Sequence, residues 1–335
     1  MVAELPTEIV IIVFDFAASS STSSAYSLSL VASWTRFLAE RRLYSTLCGA
    51  RPEQRDVISR LMGGEEDTYR RQAEYVRGLW LEPDDQYSGP DIPHLLQIFP
   101  NLRNVACNWL RFLPGTAEEP EAESDAIARQ KARQAVRGEP FHLTMKWLAG
   151  NGRDPFILDS VTHLRLLTDH GLPLVFENAF GHDMAAPFES LTHLAVANHH
   201  RATNPDFLAI RKRLGLQMLV LEEDDRYSGV FGPLVDWIKN ERLQDSHIYI
   251  VPRRGDRCAL PWEADARGGV SIWERARAFT EQMERDGWII DSQWQSRTGD
   301  EWKTLPGNES LGYTVTSQLP SVIGGWAKKA FSFRK

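Results

Sequence analysis

Cysteine is scarce in this chain, and its few occurrences are widely separated. Only three cysteines, Cys48, Cys107 and Cys258, occur among 335 residues. No Cys-x-x-Cys pair is present, which excludes the usual zinc and redox motifs. A sparse, odd-numbered set also argues against a secreted scaffold built on disulfides. We therefore expect a reducing compartment, the cytoplasm or the nucleus.

The sequence also lacks a membrane-spanning run and an excess of positive charge. The apolar stretch from Ile9 to Ala18 is too short to cross a bilayer. Glu4 and Glu8 precede it and Asp15 interrupts it, unlike a signal peptide. The 38 basic and 45 acidic residues give a formal net charge of −7. Because phosphate binding needs a basic field, we expect no nucleic-acid partner, and because no run is long enough to span a bilayer, we expect no membrane partner.

Catalytic and phosphate-binding motifs are absent as well. There is no Gly-x-Ser-x-Gly, no His-Glu-x-x-His and no phosphate loop. His199 and His200 are adjacent, and neighbouring residues on a strand face opposite ways, so they make a poor metal pair. His163 and His193 recur at equivalent places in two similar segments, and we expect both to face solvent. We predict no enzyme, no cofactor and no metal site.

The N-terminus carries the strongest positive signal. Pro6 suits the first turn of a helix, and it holds Leu5 in an extended conformation. Ile9, Val13 and Phe16 then recur at i, i+4 and i+7, which predicts a helix with one apolar stripe.

Two further short helices are predicted before residue 50. The run Ser19–Ser24 is typical of a loop that supplies N-caps. The next apolar stripes are Leu30, Trp34 and Phe37 or Leu38, and then Leu43 with Leu47, beside Tyr44. Three short helices bury little surface alone, so an apolar face left over must contact something. Either they cap the following domain or they bind another protein.

The order of these segments resembles an F-box. F-boxes typically read Leu-Pro-x-Glu-Ile, an apolar helix, an apolar-Val-x-x-x-Trp segment, and Leu-Trp or Leu-Tyr. This chain has Leu5-Pro6-Thr7-Glu8-Ile9, Val31 with Trp34, and Leu43-Tyr44. The Val-to-Trp spacing is shorter than usual. The chain is similar to the F-box-like proteins of mushroom-forming fungi, which share the serine-rich break.

The resemblance implies a substrate receptor of a cullin–RING (SCF-type) ubiquitin ligase. Its N-terminal module would bind a Skp-type adaptor, and through it a cullin, while the body binds an unidentified target protein. The chemistry would belong to other subunits. The alternative is a non-catalytic repeat scaffold whose N-terminal helices only cap the solenoid. The residues assigned to adaptor binding or to the F-box core are Leu5, Pro6, Ile9, Ile12, Val13, Phe16, Leu28, Val31, Trp34, Leu43 and Tyr44.

The body contains a recurring apolar-x-x-apolar-x-apolar pattern. It begins at Val76, Leu102, Val161, Leu191 and Leu216, with a weaker copy at His247-Ile248-Tyr249-Ile250. The spacing is about 25 to 30 residues, with one double gap, as in leucine-rich repeats. The last two apolar residues would share one face of a short strand, with helices between strands. We predict an α/β fold: a small helical F-box-like module, then an irregular leucine-rich-repeat-like solenoid with parallel strands.

These patterns divide the chain into four parts. They are an F-box-like module over 1–50, a solenoid over 70–255 with an insertion at about 114–140, a capping helix and Trp-rich segment over 256–305, and a poorly ordered tail over 306–335. The capping helix is indicated by Ile272, Ala276, Phe279 and Met283, with Gly287 at its end.

Acidic residues follow two of the predicted strands. They are Asp84-Asp85 and the run Glu222-Glu223-Asp224-Asp225. They are either solvated turns or an acidic rim that selects basic partners.

Overall fold

The computed structural model describes residues 6–20, 22–63, 67–81, 92–111, 139–149, 160–167, 188–198, 206–224, 228–253 and 259–288. Leu5, His199-His200, Asp84-Asp85, Asp225 and the tail over 306–335 lie outside these ranges. In chain order the elements are α1 (Thr7–Ser20), α2 (Thr22–Ser29), α3 (Ser33–Leu43), β1 (Thr46–Cys48), α4 (Pro52–Gly63), α5 (Asp67–Ala73), β2 (Gly78–Leu81), α6 (Ile92–Ile98), β3 (Asn104–Arg111), β4 (Phe141–Ala149), β5 (Val161–Leu166), β6 (His193–Asn198), α7 (Asp206–Leu214), β7 (Met218–Asp224), α8 (Ser228–Arg242), β8 (Ile248–Arg253), α9 (Ala259–Ala266) and α10 (Ile272–Arg285).

The eight strands form one sheet in which all neighbours are parallel. Their order across the sheet is their order along the chain, from β1 at one edge to β8 at the other. Parallel neighbours require a crossover connection, and α4 to α8 lie in such connections. The predicted α/β class and the parallel strands are confirmed. No described helix has both the length and the apolarity needed to cross a membrane.

Each repeated segment contributes a strand, and two strands were not predicted. β4 fills the double gap in the repeat and pairs with β3 and β5. β1 contains Leu47, which the sequence pattern placed in a third helix. That prediction is wrong, because Thr46–Cys48 pairs with Gly78–Trp80 and all three β1 residues are buried. The sheet therefore begins inside the range assigned to the N-terminal module.

One face of the sheet forms the main core. The paired apolar residues of each repeat share this face, as predicted; Leu164 and Leu166 of β5 are both fully buried. Helices α4, α6, α7 and α8 pack against them through Ile58, Leu61, Leu95, Ile210, Leu234 and Ile238. This packing explains the strict recurrence of apolar residues along the chain.

The opposite face, here called the second face, is covered by the two C-terminal helices. Trp262 of α9 packs on Cys48, Trp80 and Ala106. At the other end of the sheet the α10 residues Ile272, Trp273 and Ala276 pack on Ala195, Met218 and Val220. Residues between the paired apolar positions of a strand are therefore buried as well.

Helix α10 forms where the spacing of Ile272, Ala276, Phe279 and Met283 predicted a helix. Ser271 is its N-cap and forms a capping box with Glu274, and Gly287 follows its end with a φ of 70°. The buried Thr280 Oγ1 accepts the Ile250 N–H at 2.9 Å and donates to the Ile250 carbonyl at 3.2 Å. Helix α10 thus satisfies backbone groups on the edge strand β8, which would otherwise be open to pairing.

The N-terminus forms three helices, with boundaries that differ from the predicted ones. Ser19–Ser24 was expected to be a loop, but its described residues belong to α1 and α2. Ala25 and Ser29 are buried in α2, so small side chains there serve helix packing. The Ser29 hydroxyl also donates to the Tyr26 carbonyl at 2.6 Å, which satisfies it within the helix.

Candidate functional site

The N-terminal helices have a core of small side chains. Ala18, Ala25 and Ala39 are buried together, one from each helix, with Leu28 and Leu43 packed partly against them. Alanine lets helix backbones come close, but it offers little area to bury. The core is therefore small for three helices.

Most of the large apolar side chains of this region point outward instead. The side chains of the α1 stripe are between 44% exposed, at Ile9, and 77% exposed, at Phe16. We define the N-terminal apolar surface as Ile9, Ile12, Val13 and Phe16 of α1 with Leu30, Val31, Trp34 and Phe37 of the α2–α3 region; all eight are exposed. An apolar stripe on a helix ordinarily faces a core. Here it faces solvent while alanines fill the interior.

Contacts between the helices hold this surface in shape. Arg42 on α3 makes a two-pronged contact to the Asp15 carboxylate on α1, at 3.1 and 2.7 Å. This hydrogen bond lowers the pKa of Asp15 despite partial burial. The rings of Phe14 and Trp34 meet edge to face at 5.0 Å between centroids. Helix α1 is therefore linked to α3 near both ends of α3.

A second set of contacts fixes α3 to the body. Phe37 meets Tyr75 edge to face at 6.4 Å, and Arg71 forms an ion pair with Glu40 at 3.4 Å. Tyr44 ends α3 and packs against the main core, where burial raises the pKa of its phenol. The N-terminal helices thus extend directly into the sheet.

The predicted site residues separate into three groups. Those exposed on the N-terminal helices are Pro6, Ile9, Ile12, Val13, Phe16, Val31 and Trp34. Leu28 and Leu43 belong to the alanine-rich core, and Tyr44 belongs to the joint with the body. The residues assigned from the sequence did not include four exposed apolar side chains of this region, Ile11, Tyr26, Leu30 and Phe37. The nearly continuous apolar run from Ile9 to Phe14 indicated that α1 carries more than one apolar stripe.

The second face holds three stacked histidines. His142, His163 and His193 occupy one register row on β4, β5 and β6, with ring centroids 4.1 and 4.2 Å apart. Trp273 of α10 lies edge-on to His163 and His193, at 5.3 Å from each. His163 and His193 were expected to face solvent, but both are half-buried, because Trp273 of α10 packs on their rings.

Carboxylates on this face are neutralised by arginines. Arg165 on β5 donates to both oxygens of Glu222 on β7, at 2.7 and 2.6 Å, and both residues are buried. Glu263 of α9 lies between Arg51 at 2.7 Å and Arg267 at 3.1 Å. Glu222 is therefore neither a solvated turn residue nor part of an acidic rim, because strand pairing carries it beneath the helices. Satisfied buried pairs of this kind favour a structural role.

Groups suited to other chemistry are not assembled in the described residues. No set of His, Cys, Asp and Glu there is arranged to hold a metal ion. Cys107 is fully buried, and this raises its pKa to about 12, so its thiol is a poor nucleophile. The N-terminal apolar surface is the feature that most calls for a partner.

Comparison with protein-family models, curated proteins and solved structures found no match. The functional argument therefore depends on this chain's own residues and geometry.

Proposed function

We propose that this protein is the substrate-receptor subunit of a cullin–RING ubiquitin ligase. The N-terminal helices would bind a Skp-type adaptor, and the body would bind a target protein in the cytoplasm or nucleus. The observation that carries the proposal is the N-terminal apolar surface. It coincides with most of the residues that the F-box resemblance assigns to adaptor binding.

The energy available from this surface is large. Fully burying a Val, Leu, Ile or Phe side chain is worth about 1.5–3 kcal/mol. The eight residues are roughly half to three-quarters exposed, so a partner that covers them would recover a large part of that energy. An aromatic and aliphatic cluster of this kind is typical of the anchors that dominate protein interfaces.

The alternative, a scaffold in which these helices only cap a solenoid, predicts a different arrangement. A cap buries its apolar stripe against the repeats, yet Ile12, Val13 and Phe16 are between 55% and 77% exposed. The contacts with the body come instead from Phe37, in the middle of α3, and from Tyr44 at its end. Apart from Phe37, the residues of the proposed docking surface are thus different from those that attach the helices to the body.

The body supports the proposal in a more general way. Parallel strands in chain order, with a recurring Leu-x-x-Leu-x-Leu core, are the arrangement expected of a leucine-rich-repeat-like solenoid. Such repeats commonly bind other proteins. We assign no catalytic step to this chain and leave the chemistry to partner subunits.

The deciding experiment is co-purification with a Skp-type adaptor. The variant Ile12→Ala with Phe16→Ala removes apolar area from the surface while leaving the alanine core intact. The matched control is Leu243→Ala, which truncates an 84% exposed leucine on the body. We expect the double variant to lose adaptor binding by at least tenfold and the control to retain it. Equal binding by all three proteins would refute docking through this surface and favour the scaffold.

A further inference from the structure

The three histidines on the second face form a stack of rings, and the start of α10 packs against this stack. The rings of His142 and His163 are inclined by 12°, and those of His163 and His193 by 15°, so each pair lies nearly face to face. Trp273 closes over them from α10, and its side chain is almost fully buried. The first turns of α10 therefore lie on two of the three titratable rings, His163 and His193, as well as on apolar residues.

Two of the rings, those of His163 and His193, each contact a threonine hydroxyl through Nδ1. Thr162 Oγ1 lies 3.2 Å from the Phe141 carbonyl oxygen and 2.9 Å from His163 Nδ1. Thr192 Oγ1 lies 3.0 Å from the Thr162 carbonyl oxygen and 2.7 Å from His193 Nδ1. In the tautomer with the proton on Nδ1, each threonine donates to the carbonyl, each ring donates to its threonine, and the lone pair is on Nε2.

This tautomer defines what acid does to the stack. A second proton enters at Nε2 and leaves both threonine hydrogen bonds in place. Its cost is first that of burying a charged ring, and then the repulsion between charged rings whose centroids lie about 4 Å apart. Burial, first, and the neighbouring histidines lower the pKa of His142 to about 4 and that of His163 to about 3. Burial and then Arg277 of α10 lower the pKa of His193.

The other charged groups around this contact do not offset that cost. Glu222 is paired with Arg165 on the sheet, and Asp265 of α9 accepts the Ile272 N–H at 3.3 Å. Burial raises the pKa of Asp265, so acid tends to neutralise it. Glu274 of α10 is engaged in the Ser271 capping box, whose hydrogen bonds lower its pKa, so it remains ionised at pH 5.

We propose that the stacked imidazoles of His142, His163 and His193 form an acid-sensitive latch that holds the first two turns of α10, through Trp273, on the second face of the sheet. The rest of α10 is anchored separately, by Thr280 on Ile250 and by Phe279 and Met283 in the main core. Opening would expose the apolar floor formed by Ala195, Met218 and Val220. The latch is independent of the N-terminal apolar surface and of the proposed function.

Linkage gives the expected size of the response. Consider one imidazole that stays neutral while α10 covers it and has a pKa of about 6.5 once it is solvated. Its protonation in the open state raises the equilibrium constant for release of the first two turns of α10 about 25-fold between pH 7 and pH 5. The effects of several rings multiply. Two or three rings that open together therefore produce a change that is large compared with ordinary local fluctuations.

Hydrogen exchange of the full chain tests the latch. Protection of residues 272–277 is measured at pH 7 and pH 5, after correction for the intrinsic exchange rate. We expect that protection to fall at least 25-fold at pH 5 while β5 and the later part of α10 remain protected. His163→Phe with His193→Phe keeps stacked rings without titration, and we expect it to remove most of the fall.

The exposed histidine of α6 supplies the matched control. His94→Phe removes an imidazole outside the stack and should leave the pH response unchanged. If the double phenylalanine variant does not fold, His163→Gln with His193→Gln keeps an amide donor toward each threonine and also does not titrate. An unchanged protection at pH 5 in the native chain, an equal fall in the non-titrating variant, or a simultaneous loss across the whole sheet would each overturn the proposal.

Discussion

Arg267 donates a hydrogen bond to the carbonyl oxygen of Thr46, 3.0 Å away, and thereby joins the C-terminal helices to the first strand of the sheet. The same guanidinium donates to the Arg42 carbonyl at 3.3 Å and binds Glu263. Glu263 in turn binds Arg51 at the start of α4. One side chain therefore connects the end of α3, the start of the sheet and α9.

Removing this connection should destabilise the whole chain. For Arg267→Ala we expect a loss of about 2 kcal/mol in the free energy of unfolding, because Glu263 stays buried with one partner fewer. Denaturant unfolding measures this loss. Arg285→Ala is the control, since Arg285 is exposed and donates to Gln282 within α10; a change of equal size there would contradict the assignment.

The edge contact of α10 gives a second prediction. Thr280→Val keeps the shape of the side chain but leaves the Ile250 N–H and carbonyl buried without the hydroxyl. We expect a loss of about 1–3 kcal/mol and greater self-association through the β8 edge. Thr280→Ser retains the hydroxyl and should remain close to the native protein in both unfolding and light-scattering measurements. If serine and valine behave alike, the hydroxyl does not cap the strand.

Stability should also depend on pH in a defined direction. The pKa values of His142 and His163 in the folded chain, about 4 and about 3, lie below the ordinary value of 6.5. Below pH 6.5 the unfolded chain therefore binds more protons than the folded chain. The contribution of these neutral rings to the free energy of unfolding is therefore complete above pH 6.5 and is lost progressively as the pH falls toward 4. Asp265, whose pKa is raised, acts in the opposite sense at lower pH.

Urea unfolding at pH 7.5, 6 and 5 measures this dependence. We expect the midpoint to fall with each step in the native chain and to fall less in the variant His163→Phe with His193→Phe. A midpoint that does not change between pH 7.5 and 5 would show that the stacked rings do not remain neutral in the folded state.

Much of the sheet was predictable because its residues obey a local rule. Two apolar residues in alternate positions of a strand must share a face, and Leu164 and Leu166 do. The helices that cover the second face could not be predicted. α9 and α10 lie far along the chain from Trp80 and His163, and only the folded structure brings them into contact. β4 was missed because its segment, Phe141 to Met145, lacks the leading apolar residue of the apolar-x-x-apolar-x-apolar pattern that marked the other strands.

In the N-terminal helices, too, the sequence pattern predicted a local feature but not what it contacts. The i, i+4, i+7 spacing of Ile9, Val13 and Phe16 predicted an apolar stripe correctly, but periodicity does not say what the stripe faces. That direction was decided by Ala18, Ala25 and Ala39, which are weak signals in sequence and yet form the interior. Small residues allow the closest helix contact, so they occupied the core and left the larger ones outside.

A last prediction follows from this reversed arrangement. Phe16→Ser with Ile12→Ser should change the free energy of unfolding by less than about 0.5 kcal/mol, because both side chains are already solvated. Ala39→Leu should cost about 1–3 kcal/mol, because the enlarged side chain has no space among the three alanines. Thermal unfolding of the two variants beside the native chain measures both effects. A large loss from the serine pair, with leucine tolerated at position 39, would mean that the apolar stripe packs inside and is not available to a partner.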